Sequence, residues 1–257
     1  MAVTETSAPD GGRVRAIARR AVVGPLQPVA DGVWVVRGGV IRGFNAYLIE
    51  HEGSVTLFDA GIRPMLGGLR AAVRELGLPL RQIVLSHAHI DHRGCAPALG
   101  APVLCHAAEV RDAQGDGGLR YQDFGGLPTA FARQVIPRIT PVNDGGPVRI
   151  ADVLREGDCV AGFEVVGAAG HAPGQIALWR ERDGVLLGGD AFATFDLATL
   201  RACAPVLGPA ALSFDHEQAR RSLAALADLE PRLACPGHGL PVEGDVAGLL
   251  RAAARAG

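Results

Sequence analysis

The sequence predicts a layered α/β domain. Three observations carry that prediction: β-type runs alternate with amphipathic helical segments, glycine-containing turns separate the runs, and 257 residues supply one large core. The first runs are GVWVVR (32–37), FNAYLIE (44–50) and SVTLFDAG (54–61), spaced as antiparallel neighbours. PMLGGLRAAVRELG (64–77) then places apolar residues at helical spacing and stops at a glycine, and RQIVLS (81–86) returns to extended chain. The second half has the same texture without repeating the sequence. Its runs are FEVVGAAG (163–170), QIALWRE (175–181) and GVLLGGDAF (184–192), followed by a helix over 215–230, RLACPGHG (232–239) and a closing helix near 243–256. No linker parts the halves, so 21–257 reads as one domain, and the first 20 residues, which lack an apolar stretch behind their charges, read as a poorly ordered leader. Between them, 112–147 is rich in Gly, Pro and Arg with scattered aromatics, and is expected to be either a lid or a padded surface loop.

Composition excludes several classes. Twenty-five basic against 27 acidic residues give a net charge of −2, so nothing in the bulk charge points to a nucleic-acid or anionic-membrane partner. Every basic residue is arginine, so lysine is unavailable as base or substrate anchor. No apolar stretch approaches the roughly 18 residues of a membrane span, and the expected location is cytoplasmic. Cys95, Cys105, Cys159, Cys203 and Cys235 form no C-x-x-C pair, and an odd number scattered this widely reads as small core residues rather than a disulfide framework.

The stretch SHAHIDHRG (86–94) places three histidines and an aspartate within six positions after an apolar run. In extended chain, residues two apart point the same way, so His87, His89 and Asp91 are expected on one side and His92 across from them. A lone pair of histidines in a polar loop is usually solvated; four ligand-type side chains at this density point to a metal site. Three other histidine or aspartate residues also follow apolar strands: His171 in GAAGHAPGQ, Asp190 in LLGGDAF and His238 in ACPGHG. Residues at strand ends converge on one rim of a sheet core, where distant parts of a chain can share an ion.

With these residues the sequence resembles the metallo-β-lactamase superfamily. The resemblance runs through H-x-H-x-D-H (87–92), His171, Asp190 and His238 in order, includes the LFDAG turn (57–61), and extends from about residue 28 to near the end. It implies a four-layered αβ/βα sandwich of two mixed sheets with outer helices and the site on one edge. It also implies that His87, His89 and His171 hold one metal, that Asp91, His92 and His238 hold a second, and that Asp190 bridges them. Imidazole and carboxylate ligands without thiolate suit Zn(II), two per chain, with Fe or Mn compatible with the same set. The implied chemistry is hydrolysis by a metal-bound hydroxide, with Asp91 also orienting the nucleophile and moving its proton. Asp59 either accepts a hydrogen bond from a ligand imidazole or caps the turn before Gly61.

The remaining candidates have plainer readings. His51 and His216 read as surface residues, His106 as a packing or helix-start residue, and Cys235 as core. Phe192, Phe195, Tyr121 and Phe124 are candidate pocket aromatics, each more often core, and Arg120, Arg133 and Arg138 read as a solvated face. Departures from the family's subgroups narrow the reaction. The class B1 and B2 β-lactamases carry cysteine where this chain has Asp190, and class B3 lacks that bridging carboxylate. Glyoxalase II-type thioesterases share the ligand set but hold glutathione with lysines, and acyl-homoserine lactonases place tyrosine where this chain has Ala193. The tRNA-processing nucleases need a basic surface. What remains is a hydrolase of a small ester, thioester, lactone or related carbonyl compound. Its rivals are a mononuclear iron enzyme resembling persulfide dioxygenases and a non-catalytic metal-binding module, the latter disfavoured because all seven ligand positions are filled.

Overall fold

The computed structural model describes residues 23–39 and 41–256, so the expected leader over 1–20 lies outside the described residues. The runs at 32–37, 44–50 and 54–61 become β2 (Val33–Gly38), β3 (Phe44–His51) and β4 (Ser54–Phe58), preceded by β1 (Val23–Ala30). The four pair antiparallel in order. The helix α1 (Leu66–Leu76) ends where Gly77 takes a left-handed φ of 68°. It carries the chain back so that β5 (Leu80–Val84) lies parallel to β4, and β6 (Val103–His106) and β7 (Ile150–Leu154) continue the parallel side. The result is a mixed seven-stranded sheet in the order β1 to β7.

Short helices α2 (Ile90–Arg93), α3 (Ala96–Leu99) and α4 (Val110–Ala113) and the longer α5 (Ala130–Asn143) fill the connections between β5 and β7. The second sheet contains β8 (Cys159–Val160), β9 (Phe163–Gly167), β10 (Ile176–Arg180) and β11 (Val185–Gly189). After the separate hairpin β12 (Ala193–Asp196) and β13 (Arg201–Val206) and helix α6 (His216–Ala227), β14 (Leu233–Pro236) and β15 (Val242–Glu243) complete it, and α7 (Val246–Ala256) closes the chain. Because β11 and β14 run parallel while β9 and β10 alternate, β9, β11 and β14 all point the same way.

Three apolar clusters make this a four-layered αβ/βα sandwich. Tyr47, Ile49, Phe58 and Val84 of the first sheet meet Phe163, Leu178, Leu187 and Cys235 of the second between the sheets. Leu69 and Ala72 of α1 cover the outer face of the first sheet, and Leu223, Leu226 and Leu250 of α6 and α7 cover that of the second. Fully burying a leucine or phenylalanine stabilises the fold by about 1.5–3 kcal/mol, so each layer contact is substantial. Cys95, Cys105 and Cys235 are core residues as expected, whereas Cys159 is exposed and Cys203 half-buried.

Two stretches differ from the sequence expectation, and proline explains both. β1 contains Pro25 and Pro28 and does not read as a strand in the sequence; it is an edge strand, where a residue without an N–H is tolerated. The segment 112–147 is not an irregular loop throughout, because α5 supplies 14 of its residues despite Pro137 and Pro141 inside it. Thr129 caps α5, its Oγ1 accepting the Ala132 N–H at 3.0 Å. The arginines there are less free than a solvated face implies: Arg120 pairs with Asp112, and Arg133 donates to the Leu127 carbonyl at 2.6 Å.

Candidate metal centre

The strands whose ends are expected to carry ligands all finish on one rim. His87 and His89 follow β5, His171 follows β9, Asp190 follows β11 and His238 follows β14. Backbone bonds across the rim fix the two sheets there: Ile176 N donates to the Ser86 carbonyl at 2.9 Å and Asn45 N to the Gly237 carbonyl at 2.9 Å. Tyr47 Oη donates to the Pro236 carbonyl at 2.7 Å, and Asn45 Nδ2 donates to the same carbonyl at 2.8 Å.

His87, His89, Asp91 and His92 do not all lie on extended chain as expected. The chain closes a turn of helix at Ile90–Arg93, with the His89 carbonyl accepting from the His92 and Arg93 N–H groups at 3.0 and 3.1 Å. The turn divides the motif into two pairs. His87 and His89, before it, join His171; Asp91 and His92, on it, join His238. Within each of these threesomes one donor atom per residue lies within 4.8 Å of the others, and a third grouping, His87 with His92 and Asp190, connects them. Asp190 sits at the junction, with one oxygen 3.2 Å from His92 Nε2 and the other 3.1 Å from His238 Nε2 and 3.5 Å from His171 Nε2. Asp91 is more open, its side chain 28 % exposed and 3.5 Å from His238 Nε2.

Asp59 resolves in favour of the imidazole. Its Oδ2 accepts from His92 Nδ1 at 2.8 Å and from Ser86 Oγ at 2.8 Å, while Oδ1 accepts the Ser86 N–H at 2.8 Å. Those bonds hold Asp59 in a left-handed backbone conformation, φ 59°, just past the end of β4. The other outward ring nitrogens are partly satisfied: His87 Nδ1 lies 2.9 Å from Ser86 Oγ and His238 Nδ1 3.0 Å from the Gly43 carbonyl. Gly237 is required at its place, since a Cβ there would collide with Asp190 Oδ1 and His92 Cε1.

The inward atoms match a cation's needs. His87 Nε2 is buried with no hydrogen-bond partner among the described residues, His92 Nε2 and Asp190 Oδ1 approach each other at 3.2 Å, and His89 Nδ1 and His171 Nε2 face each other at 3.0 Å. Buried polar atoms are seldom left unpaired, and five imidazoles and two carboxylates with lone pairs turned to one space are a donor set for divalent ions.

Electrostatics differ between the two threesomes. Burial, reinforced by neighbouring imidazoles, holds His87 and His89 well below the ordinary histidine range and also lowers His171, so these rings are neutral. Burial acts the same way on His92 and His238, but Asp190, with Asp59 or Asp91, outweighs it and raises both, His238 to about 9. Burial would raise Asp190, yet His238 and His92 hold it well below the usual carboxylate range. In the metal-free protein, acid titration below about 6.5 protonates the unfolded chain where the folded one keeps His87, His89 and His171 neutral, so stability falls. Above about 6.5 the folded chain retains protons that the unfolded chain has lost, on His238 up to about 9 and on His92, whose proton affinity is also raised, so stability falls again as pH rises. Chelator-treated protein is therefore expected to show its highest Tm near pH 6.5; a Tm that does not vary from pH 5 to 9 would contradict these environments.

Several supporting residues escape a reading of the sequence. Arg93 is fully buried, Nη1 donating to the carbonyls of Asp112, Ala113 and Gly115 at 2.9, 2.8 and 3.1 Å, and Nη2 pairing with Asp144 at 3.1 Å. It anchors both ends of the 112–147 segment to the Ile90–Arg93 turn. Glu109, 1 % exposed, accepts the Ala88 N–H at 2.8 Å and the Gly174 N–H at 2.7 Å. Ser86 extends the Asp59 network. His106 caps the turn after β6, accepting the Ala108 N–H at 3.3 Å; His51 is exposed and His216 half-buried at the start of α6. Phe192 is core, and Phe195, Phe124 and Tyr121 are half-buried. Among the described residues, no helix is long and apolar enough to cross a membrane.

Residues 42–238 match the model of the metallo-beta-lactamase superfamily. Among curated relatives, the uncharacterized protein YobT of Bacillus subtilis is 33 % identical over 76 % of this chain and 82 % of its own length. The probable metallo-hydrolase YflN of the same organism is 27 % identical over 86 % of this chain and 91 % of its own. Of solved structures, the metallo-beta-lactamase family protein TTHA1429 from Thermus thermophilus superposes with a TM-score of 0.63 at 30 % identity, covering 89 % of this chain and 81 % of that one. TTHA1623 in a di-iron-bound form superposes at 0.59 with 27 % identity, covering 84 % and 95 %. The matched span contains the H-x-H-x-D-H stretch and all three later strand-end residues, and on that ground the chain belongs to the metallo-beta-lactamase superfamily.

Proposed function

We propose that the chain is a dinuclear metal-dependent hydrolase of a small ester, thioester, lactone or related carbonyl compound. The observation that carries this reading is the pair of donor threesomes joined by Asp190. His87, His89 and His171 would hold one ion, Asp91, His92 and His238 the other, and Asp190 would lie between them. Zinc suits this set, and the di-iron relative keeps iron in view as an alternative occupant. Divalent ions here would supply acidity to water and polarise a carbonyl oxygen. The chain's own part is to aim and to move protons. Asp91 would orient the attacking water and take its proton, a role supported by its being the more exposed of the two carboxylates and standing beside His238. Asp59 holds the His92 ring in one tautomer.

Apolar side chains flank the histidines on both sides. The Phe44 ring packs edge-on to His238 at 5.3 Å, while Phe214, half exposed, donates its N–H to the His171 carbonyl and packs against Tyr121 at 4.9 Å. Arg120 lies over the Tyr121 ring at 4.3 Å and donates to its hydroxyl at 2.7 Å. These walls suit the uncharged flank of a substrate whose carbonyl is bound elsewhere. Tyr121→Ala and Phe214→Ala are expected to raise KM or lower kcat/KM by about 1–3 kcal/mol for a lost buried aromatic contact, with metal content unchanged. Phe124→Ala, on the turn that Asp123 N ties to the Ala211 carbonyl, separates a moving lid from a fixed wall: a loss equal to that of Tyr121→Ala favours the lid.

The deciding experiment combines elemental analysis with a substrate panel of thioesters, lactones, aryl esters and a β-lactam. Two metals per chain and turnover within the first three classes are expected. One iron per chain with oxygen consumption on a persulfide would replace the hydrolase reading, and full metal content without turnover of any carbonyl substrate would favour a binding module.

A further inference from the structure

We infer that Glu109 is a positioning residue dedicated to one of the two metal positions, the one formed by His87, His89 and His171; this rests on the metal-site reading above. The three histidines come from two chain segments far apart in sequence, residues 86–89 after β5 and 170–174 after β9. Besides the Ile176–Ser86 backbone bond, one buried carboxylate joins those segments. Glu109 Oε2 accepts the N–H of Ala88, the residue between His87 and His89, and Oε1 accepts the N–H of Gly174, three residues past His171. Both oxygens are used, and each points at a donor, so only an acceptor-only group fits.

The other threesome has no comparable contact with Glu109. Asp59 serves it instead, through His92 and Ser86. The two buried carboxylates thus divide the work, Asp59 orienting a ligand ring and Glu109 setting the separation of two ligand-bearing segments. The approach at Gly174 is close, since a Cβ there would stand 2.6 Å from His106 Nδ1, 2.9 Å from Ala108 Cβ and 3.2 Å from Glu109 Cγ. His106 and Glu109 flank one short turn of helix after β6, so that turn forms the seat on which the His171 segment rests.

Glu109→Gln keeps the shape but turns an amide NH₂ toward one of the two N–H donors, so this side chain can no longer hold both segments. The test is zinc titration into chelator-stripped protein in competition with a chelating dye, with NMR of labelled histidine rings to assign each binding step. Glu109→Gln is expected to weaken the step that shifts His87, His89 and His171 by about 10–100-fold while moving the step that shifts His92 and His238 by less than about threefold. Glu109→Asp, which keeps the charge but is too short to reach both donors, is expected to weaken the same step and serves if the glutamine variant does not fold. Equal losses at both steps, with a lowered Tm of the stripped protein, would mean a merely structural role and overturn the inference, as would unchanged affinity at both. Wild-type protein that takes up no zinc, iron or manganese would strike the metal-site reading itself, a result distinct from two-step wild-type binding that Glu109 substitutions leave untouched.

Discussion

Asp190→Ala is expected to empty both metal positions at zinc concentrations that saturate the wild type, and to lower kcat/KM by about 10³-fold or more, ~4 kcal/mol of transition-state stabilisation. The geometry makes the effect double. One Asp190 oxygen lies 3.2 Å from His92 Nε2 and the other 3.1 Å from His238 Nε2 and 3.5 Å from His171 Nε2, so the side chain touches both threesomes. Removing it also leaves His92 and His238 without the charge that raises their proton affinity. His238→Ala is the comparison, because His238 belongs to one threesome only; it is expected to empty one position and leave the other filled. Elemental analysis of the two variants beside wild type checks both statements. Equal, partial loss in the two variants would mean that Asp190 is an ordinary ligand of one ion.

Much of this site is legible in the sequence because its residues are of rare type in telling places. A histidine or aspartate directly after an apolar run, repeated four times along the chain, marks strand ends on one rim, and His87, His89, His171, Asp190 and His238 all stand there. Legibility stops where a side chain works at long range. Nothing in the sequence singles out Glu109 or Arg93, and only the fold reveals that their partners lie at Gly174 and Asp144 and that both are buried. Local conformation is harder to read where two rules compete. Alternation at 87–91 suggests continued extension, yet the turn at Ile90–Arg93 is closed by the His89 carbonyl, and that closure separates the motif into its two halves. Proline misleads in α5 and β1 for a related reason. Its local penalty is real, but the edge position of β1 removes it there, and α5 forms around Pro137 and Pro141 with only Ala132 buried.

Asp59→Asn is expected to weaken zinc binding at the Asp91, His92 and His238 position by about 10–100-fold while leaving the backbone in place. Asparagine tolerates the left-handed φ of 59° that this position adopts, and its carbonyl can still accept the Ser86 N–H. Its NH₂, however, replaces the Oδ2 that accepts from both His92 Nδ1 and Ser86 Oγ, so a donor meets a donor. His92 then loses the partner that fixes its tautomer and supports its ring as a ligand. Asp59→Ala removes both oxygens and adds the cost of a left-handed alanine, roughly 1–2 kcal/mol, to the roughly 1–3 kcal/mol of leaving the buried Ser86 N–H unpaired. Asp59→Gly removes the same oxygens but adopts that φ freely. Thermal unfolding of the stripped proteins should therefore rank Asn above Gly and Gly above Ala, while zinc affinity at this position falls in all three. An Asn variant with wild-type zinc affinity would show that Asp59 shapes only the turn, and an Ala variant as stable as Gly would show that the left-handed backbone at this rim carries no strain.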